Sequence, residues 1–214
     1  MNTKIADLIR TGNNEALKRS IEQDPSLAAG AVENGPSYLL FAAYCRNHEA
    51  VEILSEKKQE KTIFEAAAIG DLNLLKMLAE KDEKIVNSFS PDGFTPLGLA
   101  SFFGFYEGVD FLLKKGADPN LPAQNSFKVA PLHSACAISN YEIAKLLLKN
   151  GAEVNVAQAG GVTPLHSAAH NGQDRLVQLL LEHGADTHAK TEDGKTPLQM
   201  AEEEKHTSTA RLLE

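Results

Sequence analysis

The chain has 214 residues, a formal net charge of −8 and 43% hydrophobic residues. This composition predicts a folded protein, and an acidic chain without a basic run is disfavoured as a binder of nucleic acid or of an anionic membrane surface. Cys45 and Cys136 fall in separate helical patterns, so we expect reduced core thiols and a cytoplasmic protein. No segment has the apolar length of a signal peptide or a membrane span.

The first predicted unit, residues 1–34, has the pattern of a helix, a turn and a second helix. Ile5, Leu8 and Ile9 share one apolar face, and Gly12 breaks the first helix. The remaining positions of both helices are mostly polar. Such a unit is typical of the end of a repeat array, where one face meets water.

The second and third units are unusually close together. The aligned apolar positions of successive units are Ile5, Leu39, Ile63, Leu97, Leu132, Leu165 and Leu198, which gives steps of 34, 24, 34, 35, 33 and 33 residues. The short step removes the residues that otherwise separate the second helix of one unit from the first helix of the next. We therefore predict a tight turn at residues 56–61 and no finger there.

A repeated pattern marks the start of the later units. Prolines at 96, 131, 164 and 197 give steps of 35, 33 and 33 residues. Thr163 has the chemistry of a helix N-cap, and Pro164 suits the first helical position because its missing N–H has no partner there anyway. Leu165 and the small pair 168–169 form a buried stripe. A fixed period of this size indicates stacked supersecondary units.

These features resemble the ankyrin repeat. The resemblance is carried by Thr-Pro-Leu-His at 163–166, by Gly172 after the first helix, and by Gly-Ala-acid-x-Asn at 116–120 and 151–155. It is specific over residues 92–201 and weaker elsewhere. The first two units look more like bacterial ankyrin proteins than animal ones.

The resemblance implies an all-α ankyrin-repeat solenoid of about seven helix-turn-helix units with short β-hairpin fingers. We expect a single domain over residues 1–214. Its predicted units are 1–34, 35–58 (short and without a hairpin), 59–91, 92–125, 126–159, 160–192 and 193–214, the last being a C-terminal cap.

No catalytic constellation is recognisable. There is no phosphate-binding glycine loop, paired-cysteine metal motif or nucleophile elbow. His166 and His170 lie four residues apart on one predicted helix, a spacing that could present two ring nitrogens to a metal. However, His166 belongs to the repeat signature and is explained by local hydrogen bonding. We predict no enzymatic activity, no cofactor and no metal site.

The resemblance also implies which side chains face a partner, namely those after the small pair of each first helix and those at the finger tips. Two tyrosines that start second helices are added to them. The predicted partner-binding set is Tyr44, Ile69, Phe94, Phe102, Phe103, Tyr106, Val129, Ile138, Tyr141, Val162, His170 and Asn171. The middle of this surface is apolar and aromatic, as interaction sites are.

Part of the aromatic cluster has a second interpretation. Gly108 stands where the unit at 160–192 has Leu176. The space that this glycine leaves could be filled by Phe102 or Phe105. Such an aromatic ring would then be compensating core rather than binding surface.

The predicted function is recognition of a protein partner through a rigid concave face, which loses little entropy on binding. We expect a monomer. One alternative is a self-associating regulatory module in which the apolar face meets a second copy. A less favoured alternative is a small-ligand protein or an enzyme that uses the groove as a pocket.

Overall fold

The computed structural model describes residues 2–214, with side chains from residue 4 onward, so Met1 of the first predicted unit lies outside the described residues. Fourteen α-helices are present in this part of the chain. They are α1 Asn2–Thr11, α2 Asn14–Gln23, α3 Tyr38–Tyr44, α4 His48–Lys57, α5 Ile63–Ile69, α6 Leu72–Lys81, α7 Pro96–Phe102, α8 Tyr106–Lys114, α9 Pro131–Ala137, α10 Tyr141–Lys149, α11 Pro164–His170, α12 Asp174–Glu182, α13 Pro197–Glu203 and α14 Thr207–Leu213. Short 3-10 helices occupy Pro25–Ala29, Glu83–Asn87 and Ala159–Gly161.

The helices form two stacked layers. The odd-numbered, inner helices pack on one another in sequence, and each even-numbered, outer helix packs behind its inner partner. The alanines of the inner helices, including Ala100, Ala135 and Ala168, are fully buried. Small side chains allow close stacking of short helices, so the core runs along the array rather than through one centre. The predicted all-α fold is confirmed.

The N-terminal ends of the inner helices have the capping chemistry that the sequence predicts. The side chains of Thr95, Thr163 and Thr196 each accept a backbone N–H of the first turn, with proline at the first helical position. Ala130 stands at the corresponding position of α9 and provides no side-chain cap. Three of these four helices are therefore capped by a threonine, a contact worth about 1 kcal/mol each.

The predicted β-hairpin fingers are not confirmed. Residues 2–214 contain no β-strand, and their isolated bridge joins Ala31 and Ser37. The finger positions are tight turns instead. In one of them Gln158 N donates to the Val162 carbonyl at 3.0 Å, and Gly161 N donates to the Gln158 carbonyl at 3.1 Å. Neighbouring turns are joined as well, since Glu192 N donates to the Gly160 carbonyl at 2.9 Å.

Asparagine side chains that follow the outer helices link successive units. The Asn120 amide donates to the Gly151 carbonyl at 2.9 Å and accepts from Glu153 N at 2.7 Å. Asn155 repeats both bonds with Gly184 and Asp186. Asn87 makes the corresponding pair one unit earlier. These residues therefore order the turns between units.

The repeat-signature histidines join inner helices to the following finger turn. Nε2 of His133 donates to the Val162 carbonyl at 3.0 Å, and Nε2 of His166 donates to the Lys195 carbonyl at 3.0 Å. Nδ1 of His166 accepts from Thr163, whereas Nδ1 of buried His133 has no partner. Thr163 donates to Nδ1 of His166 from both its backbone N–H and its hydroxyl, and Ala130, at the corresponding position, has no hydroxyl.

The array is interrupted after α4. Residues 58–62 alone separate α4 from α5, where other units carry a finger turn. The core is accordingly divided into one cluster built from α1 to α4 and another that runs from α3 to the C-terminus. Outer helices α6 and α8 pack together, but α4 and α6 barely touch. The first four helices are thus joined to the rest mainly through α3 and α5.

A buried ion pair lies at this junction. Lys58 Nζ is 2.6 Å from Glu65 Oε1, and the two side chains are 9% and 1% exposed. Glu65 also accepts hydrogen bonds from the Ser37 hydroxyl and, at 2.8 Å, from Thr62 N. Because Ser37 caps α3 and Thr62 caps α5, the carboxylate connects the starts of two neighbouring inner helices.

Phe105 fills the space that Gly108 leaves. A Cβ added at Gly108 would lie 2.3 Å from ring atom Cδ1 of Phe105. In the unit at 160–192, Gln173 stands at the Phe105 position and the buried Leu176 at the Gly108 position. The compensating aromatic ring is therefore Phe105 and not Phe102.

We expect Gly108→Leu to lower the free energy of unfolding by about 2 kcal/mol, because the added side chain overlaps the Phe105 ring. The double variant Gly108→Leu/Phe105→Gln restores the pair found at 173 and 176 and should recover most of the loss. Urea unfolding followed by circular dichroism measures both. A Gly108→Leu variant as stable as the wild type would show that Phe105 does not pack there.

Candidate functional site

Aromatic side chains gather where α3 and α7 end. The Tyr44 ring stacks on Phe103 with centroids 5.6 Å apart, and Phe102 meets Phe103 edge-on at 5.2 Å. Phe94, from the turn before α7, lies 6.3 Å from Tyr44. Phe102 is 39% exposed, and the other rings are half-buried. These four residues form what is called here the aromatic ridge.

Hydrogen bonds fix the position of Tyr44 within the ridge. Its hydroxyl donates to Asp92 Oδ2 at 2.8 Å, and Ser90 donates to Asp92 Oδ1 at 2.6 Å. Burial raises the pKa of Tyr44, and the neighbouring Asp92 carboxylate raises this pKa further. The phenol is therefore neutral and acts as a fixed wall rather than as a proton carrier.

A cavity of about 590 Å³ opens on one side of the aromatic ridge. Its walls come from the ends of α3, α5 and α7 and from the start of α4, and its floor includes Ala68, Ile69 and Gly70. Because the residues at 68 and 70 are small, the end of α5 leaves open space between Tyr44 and Phe103. The volume falls within the usual range of ligand pockets, about 300–1,000 Å³.

A second cavity of about 200 Å³ lies on the finger-turn side of the ridge. Phe94, Leu99 and Val129 contribute apolar walls, and Gln158 contributes a polar edge. A cavity of about 150 Å³ can hold benzene, so this space suits one apolar side chain. Tyr44 and Phe102 line both cavities. The two cavities with the ridge between them are called here the groove.

The edge of the larger cavity carries basic groups. Arg46 and His48 both line it and are exposed. Arg46 has a φ of 53°, in the left-handed region, at the position that glycine takes in four other units, as Gly12, Gly70, Gly104 and Gly172. A non-glycine residue is uncommon in this conformation. Ser139 keeps the same conformation in the unit at 126–159, with a φ of 59°.

The structure brings most of the predicted partner-binding residues together. Those that line the groove are Tyr44, Ile69, Phe94, Phe102, Phe103, Val129 and Ile138. Val162 does not line it; this residue is half-buried, and its carbonyl accepts the His133 hydrogen bond.

The remaining predicted residues lie away from the two cavities. Tyr106 and Tyr141 begin the outer helices α8 and α10, and the guanidinium of Arg175 covers the Tyr141 ring at 4.5 Å. His170 and Asn171 are exposed at the end of α11, where His170 Nδ1 is 3.7 Å from Glu204 Oε1. They extend the same row of inner-helix ends beyond the aromatic part.

Sequence reasoning missed three notable side chains. Arg46 and His48 were overlooked because the resemblance assigns binding to other positions of the unit. Phe127, which is 65% exposed, stands on the turn before α9. The step of 35 residues between Pro96 and Pro131 leaves room for a longer turn at that place, and this could have indicated it.

The groove presents a mainly apolar surface. Its surface is mainly aromatic and aliphatic, which favours burial of apolar groups. No group of three or more His, Cys, Asp or Glu that could hold a metal occurs in the described part of the chain. None of the helices described there is long and apolar enough to cross a membrane.

Stacked helix pairs with a row of exposed inner-helix ends define a helical repeat protein. Comparison with family profiles identifies the repeats: ankyrin repeats match residues 56–123 and 132–214, and a second ankyrin-repeat profile matches 106–148. The chain belongs to the ankyrin repeat family, which confirms the resemblance seen in the sequence.

Curated relatives carry the same repeats in longer chains. The chain is 38% identical to Ankyrin repeat and SAM domain-containing protein 6 of Rattus norvegicus over 109 residues, covering 50% of this chain and 12% of that protein. It is 46% identical over 63 residues to the DNA-binding protein RFXANK of Homo sapiens, covering 29% and 24%. It is 27% identical over 169 residues to Ankyrin repeat and KH domain-containing protein mask-1 of Caenorhabditis elegans, covering 75% and 6%. The chain thus spans less than a quarter of each of these relatives.

Proposed function

We propose that this chain is a protein-interaction module that binds a protein partner through its concave face, with the groove as the centre of the contact and without catalysis. The observation that carries the proposal is the aromatic ridge. Tyr44, Phe102 and Phe103 are packed against one another, yet Phe102 remains 39% exposed between two cavities. Aromatic groups in this setting are the usual anchors of protein interfaces.

The energetics favour a preformed site. The Tyr44–Asp92–Ser90 hydrogen bonds and the ring contacts hold the ridge before any partner arrives. Binding then orders few side chains, which lowers its entropic cost. Burying one large apolar side chain contributes about 1.5–3 kcal/mol, so filling both cavities contributes roughly 3–6 kcal/mol to binding.

We also propose that the fourteen helices correspond to seven ankyrin units with the boundaries predicted above, and that the finger turns flank the bound partner. We infer a cytoplasmic monomer, because Cys45 and Cys136 are both free and disulfides are rare in reducing compartments. Direct contact with nucleic acid is disfavoured by the net charge of −8, although one relative is named as a DNA-binding protein.

Affinity capture with quantitative mass spectrometry tests the proposal. Phe102→Ala/Phe103→Ala should weaken partner capture by about 10- to 100-fold, since it removes two central anchors. Met77→Ala is the matched control: Met77 is 58% exposed on outer helix α6, and its removal should leave capture unchanged. Equal loss in both variants, or loss in neither, would reject the groove as the binding site.

Self-association through the same surface is the competing interpretation. Multi-angle light scattering over a range of concentrations distinguishes self-association from binding of a different protein. A constant monomer mass supports a site that awaits a different protein. A dimer that dissociates in Phe102→Ala/Phe103→Ala would instead identify a second copy as the occupant.

A further inference from the structure

Arg46, at the edge of the larger cavity, has no partner among the side chains described from residue 4 onward. The guanidinium of Arg46 makes no hydrogen bond or ion pair with any residue whose side chain the structure describes. Arg10, on the neighbouring unit, is paired with Asp7 at 2.9 Å. Arg46 therefore presents its planar set of N–H donors to whatever approaches the cavity.

The cavity itself provides no counter-charge. Its lining contains two basic residues, Arg46 and His48, and no carboxylate. The rest of the wall is mainly apolar, with the aromatic side chains of Tyr44, Phe102, Phe103 and Phe105. An occupant that matches this surface needs an apolar body and an anionic group at one end.

The backbone at Arg46 adopts a left-handed conformation at the cavity edge. Glycine occupies the left-handed position at Gly70, Gly104 and Gly172, where it adopts the conformation without steric cost. Arg46 has a φ of 53° there, and a side chain in this region pays about 1–2 kcal/mol. Ser139 and Lys205 adopt the same conformation in two other units, so what distinguishes Arg46 is its position beside the apolar cavity.

We propose that the partner presents a segment in which a bulky apolar residue is followed or preceded by Asp or Glu, the apolar side chain entering the larger cavity and the carboxylate pairing with Arg46. This inference rests on the proposed function, because it specifies the partner of the same groove. Arginine is well suited to this task, since its fork of donors can bind a carboxylate through two parallel hydrogen bonds.

A peptide selection tests the inference. A phage library of random peptides, about twelve residues long, is selected on the immobilised full chain. One enriched peptide is then synthesised with a fluorescent label. We expect the enriched sequences to combine an aromatic or large aliphatic residue with a nearby Asp or Glu. We also expect Arg46→Glu to lower the affinity for the synthetic peptide at least about tenfold.

Two controls make the result specific. Lys149→Glu makes the same change in net charge on exposed outer helix α10 and should leave the affinity within about twofold. Replacing the acidic residue of the peptide by Lys should reverse the preference, so that Arg46→Glu binds it better than the wild type. Circular dichroism establishes that both variants are folded.

The outcomes separate the inference from the proposed function. The inference is overturned if the enriched peptides lack Asp and Glu, or if they bind Arg46→Glu as well as the wild type. If these peptides still lose affinity for Phe102→Ala/Phe103→Ala, the groove remains the binding site. Failure to enrich any peptide that depends on Phe102 and Phe103 counts against both.

Discussion

Replacing Lys58 by Met is expected to lower the free energy of unfolding by about 3–5 kcal/mol, because it leaves the Glu65 carboxylate buried without its cation. Glu65 is 1% exposed and lies 2.6 Å from Lys58 Nζ. The remaining donors, Ser37 and Thr62, carry no charge. Urea unfolding followed by circular dichroism measures the loss.

A double-mutant cycle shows whether the loss belongs to the pair. Lys58→Met/Glu65→Gln removes both charges and should be more stable than the sum of the single changes predicts, with a coupling of several kcal/mol. The control is the exposed pair of Lys114 and Asp110 on α8, whose polar atoms are 2.5 Å apart. Lys114→Met/Asp110→Asn should show a coupling of about 0.5 kcal/mol or less. Similar couplings in the two cycles would contradict the assigned role of the buried pair.

Acid is expected to destabilise the protein through His133. Burial lowers the pKa of His133 to about 4, whereas the unfolded chain has an ordinary histidine pKa of about 6.5. The unfolded state therefore binds more protons between these values, and stability falls as the pH is lowered from 7 to 4. The loss from this one residue amounts to about 3 kcal/mol.

The pH dependence of the His133→Gln variant isolates this effect. Its free energy of unfolding should fall by about 3 kcal/mol less than that of the wild type between pH 7 and pH 4. His188→Gln is the control, because His188 is 94% exposed and should not change the slope. NMR titration of the His133 ring provides a measurement on the folded protein, and a ring that titrates near pH 6.5 would refute the expectation.

Periodicity was sufficient to predict the helical repeats. Thr163 and Pro164 specify a helix start through local chemistry alone, and the cap and helix appear where these residues stand. The step of 24 residues between Leu39 and Ile63 likewise indicates a short connection, because too little chain remains between α4 and α5 for a finger turn. Features of this kind depend on residues close in sequence.

Features that depend on distant partners were harder to predict. In the sequence, Glu65 is indistinguishable from an ordinary exposed polar residue. Only the folded chain shows that Ser37 and Lys58 both donate hydrogen bonds to its carboxylate. The spacing could not show that Phe105 rather than Phe102 covers Gly108, because both rings are within reach in sequence. The predicted fingers are not seen as strands in residues 2–214, because their backbone hydrogen bonds stay within tight turns such as 158–162.

The candidate site was predicted in its aromatic middle and less well at its margins. Tyr44, Phe94 and Phe102 were expected to share a surface, and the structure places their rings in contact. Arg46 was not expected, since its importance comes from a left-handed backbone and an apolar cavity beside it. Neither property is visible in a sequence where glycine usually marks the position.

Site-specific photocrosslinking tests the central claim most directly. A benzophenone amino acid is placed at position 102 in the groove or at position 77 on outer helix α6, and each chain is irradiated in its native cell extract. We predict a discrete crosslinked protein from position 102 and none from position 77. Crosslinks that form from position 77 and not from position 102 would show that the partner binds the outer helices instead of the groove.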